Sequence, residues 1–295
     1  MSKPVMNSGM RKSLRKWFPL FVLPVFVCFL ISFVVPFAMG IYLSFCNFNI
    51  PKDARWVGLQ NYISAFRDKS FFVSFGNTLA FAVVSVLVIN IPAFFLARAL
   101  TEKFKGAALF RTLFFLPNLI GGVVLGYIWN MLFDGILSFF GTYLTADARY
   151  GFFGLVILVA WQQIGYMMLI YIAGFQTVPT DMLEAADIDG TTPAQKLFKI
   201  IIPNMTSSIF ICVFLTLTNS FKMFDQNLAL TGGAPIQTLS DGTQVKATEL
   251  LALNIYSTYN INRNWHGTAQ AKAVVFFILV GALAAGQFFI GRKKK

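Results

Sequence analysis

The sequence predicts an all-α membrane protein with about six transmembrane helices. Hydrophobic residues make up 57% of the 295 residues and charged residues only 12%, whereas a soluble protein of this length interrupts its apolar segments with polar faces. Residues 20–45 and 274–290 carry no charge and are long enough to cross a bilayer. The net charge of +12 comes from basic residues at segment ends, which is typical of membrane topology and not of a nucleic-acid interface.

Six apolar segments are predicted as spans within one membrane domain, residues 18–291. The first follows a basic tail, residues 1–17, and exceeds the roughly 7–15 apolar residues of a cleavable signal peptide, so we interpret it as a retained anchor. A second basic tail covers residues 292–295. The predicted spans are residues 18–45, 72–97, 113–133, 152–175, 205–230 and 271–290.

Basic residues predict that both termini are cytoplasmic, because Lys and Arg are retained on that side of a membrane. With the N-terminus inside, the inner segments hold fifteen of the 24 Lys and Arg residues. They are Lys3, Arg11, Lys12, Arg15, Lys16, Arg98, Lys103, Lys105, Arg111, Lys196, Lys199, Arg292, Lys293, Lys294 and Lys295.

A polar segment between the fourth and fifth spans, residues 179–203, predicts two short helices. In the first, Asp181 is expected to cap the N-terminus with Glu184 at capping-box spacing, and Gly190 supplies the left-handed residue that ends it. In the second, Thr192 and Gln195 have the spacing of another capping box. We call this segment the 179–203 loop.

The second helix of the loop has an apolar side and a charged side. The apolar positions are Pro193, Leu197, Phe198, Ile201 and Ile202, and the charged positions are Lys196 and Lys199. Such a helix has a hydrophobic surface to bury. Two partners remain open at this point: the helix packs under its own bundle or at the membrane surface, or it docks on another protein.

The loop also carries a sequence pattern, EAA followed by G and then I-x-L-P. Its members are Glu184, Ala185, Ala186, Asp189, Gly190, Ile200, Ile202 and Pro203, with Ile202 in place of the usual Leu. This pattern resembles the signature loop of ABC importer membrane subunits. The resemblance implies a type I importer permease fold, in which the loop forms coupling helices that insert into a groove on a separate cytoplasmic ATPase.

Further segments are similar to the carbohydrate-uptake branch of that family, in the same order along the chain. They are WVGLQNY at 56–62, FFLPN at 114–118, LGYIWNMLF at 125–133 and FKMFDQNLALTGGAP at 221–235, where the usual glycine pair reads GGAP instead of GGP. The resemblance implies a sugar-like solute, a second permease subunit, two ATPase subunits that bind ATP and Mg²⁺, and an extracytoplasmic solute-binding protein. It places the chain in a bacterial or archaeal cytoplasmic membrane.

Polar residues within the spans are the candidates for contacting the solute, because hydrocarbon penalises them unless they face a cavity or another helix. The candidates are Asn77, Gln162, Gln163, Tyr166, Asn219, Lys222 and Asp225, with Asn90 and Gln226 also polar. The structural alternative is that Lys222 and Asp225, three residues apart on one helix turn, neutralise each other and that the amides join helices.

Several chemistries have no matching pattern in the sequence. There is no GxxxxGK[ST] phosphate loop, so ATP and Mg²⁺ are expected on the partner ATPase, and no catalytic constellation or metal-ligand spacing is present. The single histidine, His266, lies in a predicted outer loop. Two alternatives to a sugar importer permease stay open. They are a permease for another solute, such as a glycerol phosphate ester, and a proton-coupled secondary carrier that uses Asp225.

Overall fold

The computed structural model describes residues 8–101, 105–261 and 265–292, and it confirms the predicted all-α membrane fold. The outermost parts of both predicted tails, with Lys103, lie outside the described residues. The helices are α1 (Ser8–Phe29), α2 (Val35–Ser44), α3 (Gln60–Arg67), α4 (Lys69–Thr101), α5 (Ala107–Phe115), α6 (Gly122–Ser138), α7 (Ala148–Phe175), α8 (Thr180–Ile188), α9 (Pro193–Lys196), α10 (Ile202–Asn204), α11 (Thr206–Phe221), α12 (Asp225–Leu230), α13 (Leu251–Ile261) and α14 (His266–Arg292).

Two short antiparallel hairpins accompany the helices. Their strands are β1 (Cys46–Asn47) with β2 (Arg55–Trp56), and β3 (Ile236–Thr238) with β4 (Gln244–Lys246). Neither hairpin is long enough to cross a membrane, since a spanning strand needs about 9–11 residues.

Among the residues that the structure describes, four helical stretches are long and apolar enough to span a membrane on their own. They are Trp17–Ser44, Lys69–Thr101, Ala148–Phe175 and His266–Gln287. The first joins α1 to α2 through a π-helical turn, Leu30–Val34, just before Pro36. Such a turn accommodates the carbonyl groups that a proline leaves without a donor.

The predicted third span, residues 113–133, is not one helix. Helix α5 and the short turn Leu116–Leu119 meet α6 at an angle of 98°. The chain is extended at Ile120 and Gly121, directly after Pro117 removes a backbone donor. Non-helical backbone at membrane depth requires protein or a cavity around it, so the break marks a place where α5 and α6 are not facing lipid alone.

The predicted fifth span, residues 205–230, is also interrupted. Helix α11 lies at 72° to the segment Pro193–Asn204 that precedes it, and it ends at Phe221. After a non-helical turn the short helix α12 begins at Asp225. The predicted span is therefore too long, because α11 ends at Phe221 and α12, after the turn, packs on α6.

Glycines allow the close packing of α12 on α6. A Cβ atom on Gly126 would lie 2.5 Å from the Cβ of Ala229, and one on Gly122 would lie 2.8 Å from the side chain of Gln226. Asn130, one turn further along α6, donates from Nδ2 to the Leu230 carbonyl oxygen at 2.8 Å. This contact fixes α12 beside the break in α5 and α6.

Helices α4 and α7 form the centre of the bundle, and the core runs between its two ends. Large buried core residues include Phe81, Ile89, Leu155, Leu158, Met167 and Met168. At one end, which we call the loop end, Leu100 of α4 belongs to the same cluster as Leu197 and Ile201 of the 179–203 loop. The start of α4 lies at the opposite end, about 45–50 Å away at 1.5 Å per helical residue.

Candidate functional site

The first helix of the 179–203 loop begins at Thr180, one residue before Asp181, the residue that was expected to cap it. Pro179 occupies the N-cap position, and no side chain caps the helix. Asp181 therefore lies in the first turn, where its charge still favours the positive end of the helix, and Glu184 forms no capping box. Both capping predictions for this helix were wrong, because the extended Pro179 starts the helix without a side-chain acceptor.

The corner between the two loop helices follows the prediction. Gly190 has φ of +67°, a left-handed conformation that favours glycine, and the Thr191 amide donates to the Ala186 carbonyl at 3.1 Å. The predicted capping box of the second helix is confirmed: the Gln195 amide donates to Thr192 Oγ1 at 3.2 Å and the Thr192 amide to Gln195 Oε1 at 2.9 Å.

An ion pair and a buried alanine hold the corner in place. Lys196 Nζ lies 2.6 Å from the Asp187 carboxylate, which joins the second helix to the first. Ala186 faces inward and is buried, whereas Glu184, Ala185 and Asp189 are exposed. The two helices of the loop therefore form one preformed unit.

The apolar side of the second helix packs under its own bundle. Leu197 and Ile201 are buried and belong to the main core, which settles one of the open alternatives for this stripe. Ile200 is half-buried and Pro203 is exposed. Two large apolar side chains stay outside: Ile188 is 86% exposed and Phe198 is 67% exposed.

Ile188 was not among the predicted residues, because it lies outside the repeating apolar stripe of the second helix. Its signal was present, since an isoleucine two residues before a helix-ending glycine lies at the tip of the turn. The surface made by Ile188, Phe198, Ala185 and Glu184 is called the loop surface below.

A second candidate site lies near the middle of α7, at the depth of the broken helices. Gln162 Nε2 donates to the Ile120 carbonyl at 3.1 Å, which satisfies backbone freed by the break between α5 and α6. Gln226 Nε2 donates to Gln162 Oε1 at 2.8 Å and so ties α12 to the same point. Gly165 lets the Phe114 carbonyl approach α7, since a Cβ there would lie 1.8 Å from that oxygen. We call this the mid-depth site.

A cavity of about 310 Å³, which we call the mid-depth cavity, opens beside the mid-depth site, between the end of α11 and the start of α12. It is lined by Asn219, Lys222, Met223, Phe224, Asp225 and Gln226. Lys222 and Asp225 are exposed there, and neither forms an ion pair among the described residues. The expectation that they share one helix turn was wrong, because the turn between α11 and α12 separates them.

The structure brings Asn219, Lys222 and Asp225 together around this cavity, and Gln162 is linked to it through Gln226. The other predicted pathway residues lie apart from them. Asn77 lies towards the opposite end, where its Nδ2 donates to the carbonyls of Ala247 at 2.8 Å and Glu249 at 3.2 Å. Gln163 and Tyr166 do not line this cavity. Gln163 is buried, and its Oε1 has no hydrogen-bond partner. Tyr166 is half-buried against the main core.

A third polar cluster, at the opposite end of the bundle, was missed. Lys272 is 0% exposed and donates to Asp68 Oδ2 at 2.5 Å, Asn254 Oδ1 at 2.9 Å and Thr258 Oγ1 at 2.7 Å. Glu249, also buried, accepts from Asn254 Nδ2 at 2.8 Å. The available signal was Lys272 itself, a charge at the second residue of the predicted span 271–290.

The hairpin β3–β4 is anchored beside this cluster by a surface ion pair. Lys69, the first residue of α4, donates to the carboxylate of Asp241 in the hairpin turn. The Lys69 ammonium and the Thr243 hydroxyl hold the pKa of Asp241 well below its usual range. Within the ranges that the structure describes, no three His, Cys, Asp or Glu side chains lie together as metal ligands.

Comparison with known proteins identifies one family and several similar membrane proteins. Residues 99–290 match the family described as "Binding-protein-dependent transport system inner membrane component". The probable starch degradation products transport system permease protein AmyD of Thermoanaerobacterium thermosulfurigenes is 36% identical over 95% of this chain and 95% of its own. The sn-glycerol-3-phosphate transport system permease protein UgpA of Brucella abortus is 30% identical over 95% of this chain and 96% of its own.

The fold is also similar to that of a solved transporter. A crystal structure of a bacterial ABC transporter involved in the import of the acidic polysaccharide alginate matches with a TM-score of 0.77 at 18% identity, over 97% of this chain and 99% of that chain. The chain is therefore a non-catalytic, membrane-integral subunit, and it belongs to the family of binding-protein-dependent transport system inner membrane components.

Proposed function

We propose that this chain forms half of the translocation pathway of an ATP-driven importer for a sugar or oligosaccharide, and that the loop surface couples it to a separate ATPase. ATP and its Mg²⁺ bind to that ATPase. A second permease subunit and an extracytoplasmic solute-binding protein complete the assembly. The distribution of basic residues supports a cytoplasmic loop end and two cytoplasmic termini.

The observation that carries the coupling proposal is the contrast between the two sides of the 179–203 loop. Leu197 and Ile201 anchor it in the core, so a push on the loop moves the bundle with it. Gly190 and the pair of Asp187 with Lys196 hold the corner between its helices. On the outward side, Ile188 projects from this rigid unit as an exposed apolar anchor, the kind of residue that dominates a docking interface.

The mid-depth cavity supports a neutral solute. Lys222 and Asp225 line the same space, so its formal charge is balanced, whereas a site for a phosphate ester needs an excess of cations. Asn219 and Gln226 add amide groups that both donate and accept hydrogen bonds, which suits sugar hydroxyls. The name of AmyD refers to starch degradation products, and that of UgpA to glycerol 3-phosphate. The charge balance favours the sugar.

The first helical span has an exposed apolar surface that is expected to contact lipid or the second permease. Side chains along Trp17–Ser44 stay largely outside the bundle, including Phe21, Val25 and Ile31. An apolar helix of this length is stable only in hydrocarbon or against another membrane protein. The remaining interface of the importer is therefore expected along this helix.

The test is recovery of the native complex. The chain is tagged at its C-terminus, extracted in mild detergent, and its partners are identified by mass spectrometry. We expect an ATPase with a phosphate loop and a second permease. Recovery of the chain alone, under conditions that preserve other importer complexes, would contradict the proposal.

A matched pair of variants then locates the ATPase contact. Ile188→Asp places a charge on the loop surface, and Ile50→Asp makes the same change at an exposed position of the opposite end. We expect the first to lose the ATPase while keeping the second permease, and the second to keep both. Equal recovery of the ATPase with both variants would place the contact elsewhere.

A further inference from the structure

The opposite end of the bundle contains a cavity that the proposed pathway does not use. Its volume is about 360 Å³, within the range of roughly 300–1,000 Å³ of small-molecule sites. It lies between the start of α4, the strand β4 and helix α13, and Trp265 stands at its edge. The mid-depth cavity shares no lining residue with it.

The floor of this cavity is polar and held in place by hydrogen bonds. Glu249, 2% exposed, accepts from Ser257 Oγ at 2.6 Å and from Asn254 Nδ2 at 2.8 Å. Asn254 also donates to Ser70 Oγ at 2.9 Å, and its carbonyl oxygen accepts from Lys272. These groups need no rearrangement before they meet a ligand, so little ordering cost opposes binding.

Several of the lining groups keep hydrogen-bonding capacity. Lys246 Nζ lies 3.4 Å from Ser257 Oγ and 3.6 Å from Glu249 Oε1, distances too long to use its three protons fully. The oxygens of Glu249 are already occupied, since Oε2 also accepts from Ser74 Oγ at 3.5 Å. The remaining capacity lies on Lys246 and on the exposed Gln244, whose amide both donates and accepts. Donors and acceptors are therefore interleaved around one space, as the hydroxyl groups of a polyol require.

The charges of the cavity balance. Asp68 and Glu249 carry two negative charges, and Lys246 together with Lys272, directly behind the wall, carries two positive charges. An anion or a cation would meet an opposite partner only by breaking one of these pairs. Trp265, 45% exposed at the edge, adds an aromatic face that suits the apolar side of a sugar ring.

We propose that this cavity binds a neutral, hydroxyl-rich ligand such as a sugar, with Trp265 covering one face of the ring. The binding site itself is independent of the ATPase contact. Its interpretation as a first stop for solute outside the membrane rests on the proposed function, since an importer presents this end to the exterior.

The experiment measures binding of maltose to the purified full chain in lipid nanodiscs, without ATPase or binding protein, by titration calorimetry. We expect saturable binding that Trp265→Ala weakens by about tenfold or more and that Trp265→Phe largely restores. The matched control is Trp56→Ala, which removes another exposed tryptophan outside the cavity. Asn219→Ala, at the mid-depth cavity, is expected to leave this binding unchanged.

Charged analogues test the class of ligand. Glucuronate and glucosamine are expected to bind more weakly than glucose, because each leaves one charge of the cavity uncompensated. No saturable maltose binding, binding that is indifferent to Trp265→Ala, or a preference for either charged sugar would overturn the proposal. The complex-recovery experiment reports on the ATPase and not on this cavity, so the two proposals fail separately.

Discussion

Removing the positive charge of Lys272 is expected to destabilise the protein strongly. Its ammonium is fully buried, and its three hydrogen bonds join α14 to Asn254 and Thr258 of α13 and to Asp68 at the start of α4. In Lys272→Met the side chain keeps a similar length, but Asp68 loses its partner and two polar groups of α13 lose a donor. The loss is therefore one of charge and hydrogen bonding rather than of volume.

The size of the effect follows from the burial of both partners. Removing one member of a buried ion pair costs about 3–5 kcal/mol, and the lower value applies because the Asp68 side chain is 15% exposed. At about 2–4 °C per kcal/mol, a loss of about 3 kcal/mol lowers the melting temperature by roughly 10 °C. Melting is measured in detergent by the fraction that remains monodisperse after heating.

A double-mutant cycle separates the ion pair from general damage. Asp68→Asn removes the charge that Lys272→Met leaves without a partner, so the double variant should melt above Lys272→Met, with a coupling of about 1–3 kcal/mol. Lys52→Met, the same change at an exposed lysine, is the control and should leave the melting temperature unchanged. If Lys272→Met melts within about 2 °C of the wild type, or if the two losses simply add, the buried ion pair does not stabilise the fold in this way.

Three further predictions concern the loop, the α6–α12 contact and the β3–β4 hairpin. Gly190→Pro should abolish ATP-driven transport while the chain still assembles, because it removes both the left-handed corner and the hydrogen bond from the Gly190 amide to the Asp187 carbonyl. Gly190→Ala, with no atom within 4 Å of the added Cβ, should cost only about 1–2 kcal/mol of backbone strain and retain transport. Gly126→Ala should lower the melting temperature, at a cost of about 1–3 kcal/mol from overpacking on Ala229, whereas Gly135→Ala on the same helix, where the added Cβ meets nothing, should not. Asp241→Asn should increase amide exchange in the hairpin at neutral pH. Because the pKa of Asp241 is lowered in the folded protein, the stability that its ion pair with Lys69 contributes is present above the unfolded-state pKa and is lost as the pH falls through the lowered value. The difference in exchange between variant and wild type should therefore shrink in strong acid, and an unchanged difference would contradict the assignment.

Local features of the sequence were the ones that could be predicted. The capping box of Thr192 and Gln195 and the left-handed Gly190 depend on residues at most three positions apart, so their spacing is sufficient. The apolar spans followed from burial in lipid, which acts on each segment independently. The failed cap at Asp181 shows the limit, since Pro179 began the helix without any side-chain acceptor.

Features that depend on distant partners were not predictable. Asp68 and Lys272 are 204 positions apart, and nothing local connects them. The breaks at Ile120 and after Phe221 lie within segments predicted as continuous spans. Hydropathy does not register a turn whose carbonyls are satisfied by another helix, as the Ile120 carbonyl is by Gln162. The hydrogen bonds of Asn77 to the carbonyls of Ala247 and Glu249 also join distant parts of the chain, so the sequence did not predict them.

ATP-dependent uptake is the measurement that tests the central claim most directly. The native complex is reconstituted into liposomes, and accumulation of labelled starch oligosaccharides is followed with its binding protein outside and ATP inside. We expect accumulation that requires hydrolysable ATP, persists when the proton gradient is collapsed, and is lost with Ile188→Asp but not with Ile50→Asp. Accumulation driven by a proton gradient without ATP, and abolished by Asp225→Asn, would contradict it and identify a secondary carrier.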